Sequence, residues 1–122
     1  HLMDFGEPIA EGTLNITSVT VAQGTTTLNY EGDVGKFGRV FVTHDWTSGS
    51  DGRESYAVTG SARGLQEDGN VISATLHGLG RRSNNVVKLF TLDAVSNGDQ
   101  LLVVADVDIL KKTANVTVYS LW

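Results

Sequence analysis

Three basic side chains occupy strand-like stretches where they could do chemistry: His44, Arg63 and Lys88. An imidazole titrates near neutrality, so His44 is a candidate proton carrier, and Trp46 two residues on supplies a flat wall for a substrate. Arg63 offers a planar fork of donors suited to a carboxylate or an enolate oxygen. Lys88, if it points into an apolar interior, loses basicity and becomes a base or nucleophile. Each has a plainer alternative. His44 could be a rim histidine bonded to a neighbouring strand, Arg63 a strand-end arginine reaching solvent, and Lys88 the end of a strand.

Other constellations are weaker. Asp106 and Asp108 in "VVADVDIL" share one strand face, but the alternating apolar set beside them belongs inside, which sends the aspartates to water. Gly78-x-Gly80 has no following helix to present its N-terminus to a phosphate. "TSGSDG" places serines near His44 and Asp45 without a nucleophile elbow. His44 and His77 fall on opposite strand faces and make no zinc site. No cofactor motif is legible, so the chemistry expected is cofactor-independent.

The elements that must position these groups are strands. The 122-residue chain carries fourteen glycines and one proline, a balance that suits a turn-rich β protein. Its formal charge of −5 argues against a nucleic-acid surface, and no apolar run is long enough for a membrane helix. Cysteine is absent, which fits a reducing cytoplasm and excludes thiol chemistry. His1-Leu2-Met3 reads as a remnant preceding a native start, leaving 4–122 as one domain.

Val, Ile, Thr and aromatic runs alternate with Gly/Asn/Asp punctuation, predicting strands at about 12–22, 24–32, 36–47, 53–65, 70–79, 85–96, 100–110 and 113–122. Asp51-Gly52, Asp68-Gly69 and Asn97-Gly98 mark tight hairpins. The expected fold is all-β: an eight-stranded antiparallel up-and-down meander closed into a small barrel, with a two-sheet sandwich as the alternative. Counting faces across two-residue turns puts Val103, Ala105, Val107, Ala114, Val116 and Val118 inside, joined by Val86, Lys88, Phe90 and Leu92. The same count from the third strand gives Val40, Val42, His44 and Trp46, then Thr59 and Arg63, then Ile72, Ala74 and Leu76. The expected site is therefore His44, Arg63 and Lys88 as catalytic groups, with Val42, Trp46, Thr59, Leu76 and Phe90 lining the pocket. Leu89, Leu102, Val104, Tyr119 and Leu121 fall on the opposite face and point to a homo-oligomer.

"SYAVTGSARG", "EDGNVISATLHGLG" and "LDAVSNGDQLLVVADVDIL" together resemble the small barrels of the allene oxide cyclase and dirigent type, over roughly the C-terminal two thirds of the chain. The resemblance implies an oligomeric eight-stranded barrel whose apolar lumen steers cyclisation or coupling of reactive small molecules. The cyclase's catalytic carboxylate, asparagine and cysteine have no matched positions here. The expected function is an isomerase, cyclase or lyase acting on a small, partly apolar molecule in the lumen. The alternatives are a lipocalin-like binder without turnover and a structural oligomer whose barrel is filled.

Overall fold

The computed structural model describes residues 4–49 and 54–122. These residues form eight strands: β1 (Ala10–Ala22), β2 (Thr25–Val34), β3 (Arg39–Ser48), β4 (Ser55–Leu65), β5 (Val71–Ser83), β6 (Val86–Val95), β7 (Gln100–Asp108) and β8 (Thr113–Ser120). Each pairs antiparallel with the next, and β8 pairs with β1 to close the barrel. The up-and-down barrel expected from the period-two pattern is what forms, and closure leaves no unpaired sheet edge among the described residues. Among the described residues no helix is long and apolar enough to cross a membrane. The Asp51-Gly52 turn and Arg53, where the fourth strand was expected to begin, lie outside the described residues, as do residues 1–3.

Alternation decides the inside. On β2, Leu28, Tyr30 and Val34 are buried while Asn29, Glu31 and Asp33 between them are not. On β8, Ala114, Val116 and Val118 turn inward. Leu28, Leu89, Val58, Val87 and Val107 are the largest fully buried side chains, each worth roughly 1.5–3 kcal/mol of transfer free energy. Glycines share this inner face. A Cβ at Gly60 would run into the Thr43 carbonyl oxygen, and one at Gly78 into that of Phe90. The sheet curls so tightly that a neighbouring backbone takes the space a side chain would need.

Loop lengths set which face of each strand turns inward, and here the sequence reading needs correction. The β6–β7 hairpin closes with Val95 N–H donating to the Asp99 carbonyl and Gly98 N–H to the Val95 carbonyl, so three residues, Ser96, Asn97 and Gly98, make the loop. Gly98 takes the left-handed φ of 96° that this loop demands. An odd loop flips the partner strand relative to a two-residue turn. Val87, Leu89, Thr91, Asp93 and Val95 therefore face in, and Lys88, Phe90 and Leu92 face out. The β4–β5 hairpin has the same form, with Gln66 N–H donating to the Asn70 carbonyl around Glu67, Asp68 and Gly69. The β3–β4 register pairs Trp46 with Val58 and His44 with Gly60, which turns Thr59 and Arg63 outward. Two parity errors cancel at β5, so Ile72, Ala74 and Leu76 face inward as expected. Between β7 and β8 the connection is four residues where two were expected, pairing Val107 with Ala114. An even change slides the register without exchanging faces, so Asp106 and Asp108 do face outward.

Candidate functional site in the barrel lumen

The inner faces enclose a cavity of about 100 Å³ at the end of the barrel that carries the β2–β3, β4–β5 and β6–β7 connections. Phe37, in a short 3-10 turn at Gly35–Phe37, and Val34, Ile72 and Val95 border it at that end. Val42, Leu76, Val103 and Val116 form walls further in. The lining is almost wholly apolar, and its few polar groups are therefore informative.

His44 lies in mid-strand on β3, 7% exposed, and lines the cavity. Gly60, its partner on β4, makes room for the ring: a Cβ there would stand 3.2 Å from both His44 Cδ2 and Leu76 Cδ1. The Tyr30 hydroxyl oxygen is 3.1 Å from His44 Nδ1, and Trp46 Nε1–H donates to the same nitrogen over 3.4 Å. Tyr30 meets the imidazole edge-on, with ring centres 4.8 Å apart. Trp46 in turn stacks obliquely on Tyr56 at 5.4 Å, on the side away from the cavity mouth. Desolvation pulls the His44 pKa down to about 4 against a weak opposing pull from Asp45, so the ring is neutral at pH 7. Burial pushes the Tyr30 phenol well above its ordinary value, and it stays protonated.

The second polar group is on β6. Asp93 accepts a hydrogen bond from Thr91 Oγ1 at 2.8 Å through Oδ1. Desolvation raises its pKa to about 6, outweighing the Thr91 hydrogen bond and the nearby His77 charge, which both lower it. One hydrogen-bonding row runs through His44, Gly60, Leu76 and Asp93 on successive strands. His44 and Asp93 thus face the same cavity, Asp93 nearer the mouth and His44 deeper. Among the described residues every fully buried side-chain nitrogen or oxygen has a hydrogen-bond partner. His44 Nε2 and Asp93 Oδ2 have no such partner, so both open onto cavity space.

The other residues singled out in the sequence scatter. Val42 and Leu76 line the cavity, and Trp46 supports His44 from behind. Arg63 borders the cavity but is rooted on the outer face of β4, where Nη1 donates to the Ala62 carbonyl. Thr59 is exposed outside. Lys88 pairs with Asp106 across the outer surface at 3.6 Å, and Phe90 lies outside against Phe5. Tyr30, Thr91 and Asp93 were not anticipated as site residues. The alternation of Leu28, Tyr30 and Val34 marks Tyr30 as inward. Asp93 becomes visible only when "SNG" is read as a three-residue loop. Among the described residues no cluster of three His, Cys, Asp or Glu side chains could hold a metal ion.

Fold and lumen together define a small closed antiparallel barrel enclosing an apolar cavity with a histidine and an acid on its wall. No protein-family model, curated protein or solved structure matches the chain.

Proposed function

We propose that the protein is a cofactor-independent isomerase-type enzyme that binds a small, largely apolar molecule bearing one oxygen function in the lumen and moves a proton on it. The observation that carries this reading is Asp93, a carboxyl with a pKa near 6 that opens onto the same apolar cavity as His44. A base or acid poised near neutral pH is the requirement for abstracting a proton from carbon and returning it elsewhere. Above pH 6 the Asp93 carboxylate takes the proton: the substrate C–H bond breaks and an Asp93 O–H bond forms. Its electron pair moves toward the substrate oxygen, which His44 holds. Return of the proton at a different carbon completes an isomerisation with no external reactant. The resemblance to allene oxide cyclase and dirigent-type barrels points toward the same class of lumen chemistry.

A second reading, a carrier without turnover, draws support from the predominance of apolar lining. The apolar outer face of β5–β8, with Leu79, Phe90, Leu92 and Leu121 exposed, supports a homo-oligomer under either reading. The deciding experiment incubates the protein in D₂O with a panel of small ketones, aldehydes and carboxylates and follows loss of α-proton signals by NMR. The enzyme reading expects exchange well above buffer, reduced about 10²–10⁴-fold in Asp93→Asn. Exchange at the buffer rate, or equal rates in Asp93→Asn, refutes it in favour of the carrier.

A further inference from the structure

We infer that the lumen takes a small uncharged carbonyl compound, about four of whose heavy atoms fit inside the cavity and whose oxygen accepts a hydrogen bond from His44 Nε2–H. This deepens the lumen reading above and rests on the lumen being the ligand site. Trp46 fixes the tautomer of His44. An indole N–H only donates, so the nitrogen it approaches must carry a lone pair, and that nitrogen is His44 Nδ1. The Tyr30 hydroxyl donates to the same atom. The opposite tautomer would set Nδ1–H against Trp46 Nε1–H and leave a buried indole unsatisfied. The ring proton is therefore on Nε2. That atom has no partner among the described residues and opens onto the cavity, so it is a fixed, unused donor in apolar surroundings.

Such a donor selects by what it leaves unmet. A hydrocarbon fills the cavity but keeps Nε2–H unpaired. An alcohol brings a hydrogen of its own, and because Nδ1 already takes two donors that hydrogen has to reach Asp93 Oδ2, three strands away along the row through Gly60 and Leu76. Among the described residues an anion meets no inward-rooted cation: Arg63 borders the cavity from the outer face of β4, and Lys88 lies outside beside Asp106. Asp93, ionised above about pH 6, repels an anion further. A carbonyl oxygen accepts without donating and carries no charge. Size follows from volume. An apolar cavity of roughly 150 Å³ holds the six carbons of one benzene ring, so about 100 Å³ encloses about four heavy atoms, and the tail of a five-carbon ketone lies toward the mouth.

Three molecules of matched size make the test: pentan-2-one, butanoate and 2-methylpentane, each titrated at pH 7.5 into the wild-type protein and monitored by NMR. Pentan-2-one is expected to bind about tenfold tighter than 2-methylpentane and about 100-fold tighter than butanoate. In the free protein the imidazole nitrogen spectrum of His44 should show the proton on Nε2, and pentan-2-one should shift that nitrogen selectively. His44→Leu is expected to reduce the ketone's advantage over 2-methylpentane to less than about twofold. If that variant does not fold, the wild-type nitrogen spectrum still decides. A proton on Nδ1, tighter binding of butanoate, or a ketone no better than the hydrocarbon overturns the inference. Ketone-selective binding without α-proton exchange leaves it standing and removes only the proton transfer. Failure of all three molecules to bind overturns both.

Discussion

His44 on β3 and Asp93 on β6 lie in one hydrogen-bonding row, with Gly60 and Leu76 between them, and their titrations are displaced in opposite directions. Asp93 has a folded pKa near 6, above its unfolded value, so its contribution to stability is lost as pH rises from about 4 through 6. His44 has a folded pKa near 4, below its unfolded value, so its contribution grows as pH rises from 4 to about 6.5. Each is worth about 3 kcal/mol over its window. The opposing slopes nearly cancel, and wild-type Tm should be almost flat between pH 4 and 6.5.

Single variants should uncover the hidden slopes. Asp93→Asn leaves His44 alone, so its Tm should climb by roughly 10 °C from pH 4 to 6.5. His44→Gln leaves Asp93 alone, and its Tm should fall over the same range. Calorimetry across pH checks this. A steep wild-type profile, or variants that stay flat, would contradict the placement of both groups in the lumen.

The glycines on the inner face make a separate prediction. Gly78→Ala should destabilise by about 2–4 kcal/mol, because its methyl meets the Phe90 carbonyl and cannot be relieved by a rotamer change. Gly69→Ala meets open space and only a strained left-handed φ, so it should cost less, about 1–2 kcal/mol. Urea unfolding of the two variants compares them directly. Equal costs would mean the sheet is less tightly curled than described.

The outer face is tested by assembly. Phe5 covers part of it, lying 5.4 Å from Tyr119 and 6.4 Å from Phe90, yet Leu79 and Trp122 remain largely exposed. Light scattering at micromolar concentration should give a mass above the monomer, and Leu79→Lys with Leu92→Lys should shift it to the monomer. A wild-type monomer removes the argument. Lys88→Ala serves as the control, since its ion pair with Asp106 is exposed and such pairs contribute at most about 1 kcal/mol.

The barrel was legible because period-two alternation and glycine-marked turns recur along the whole chain. Part of the candidate site's lining was legible too: His44, Val42 and Leu76 emerged from alternation on strands whose inner face was obvious or correctly reached. Asp93 and Thr91 were not, and Lys88 and Phe90 were placed wrongly, for one physical reason. Face assignment passes through every hairpin, and a two-residue and a three-residue loop differ by whether Gly98 closes the turn in a left-handed conformation next to Asp99. Arg63 and Thr59 failed the same way at the β3–β4 connection. Tyr30 was readable from Leu28 and Val34 but carries no chemistry by itself, so nothing in the sequence joined it to His44. That junction is made by β2–β3 pairing.

The most direct test of the lumen as the ligand site is an isotope-filtered NOE experiment on methyl-labelled protein with unlabelled pentan-2-one. Cross-peaks are expected from the ligand to the methyls of Val42, Leu76 and Val103, which line the same cavity as His44 and Asp93. Leu79 and Leu92, on the outer face, should show none. Cross-peaks confined to Leu79 and Leu92, or none to any lumen methyl at saturating ligand, would contradict the account.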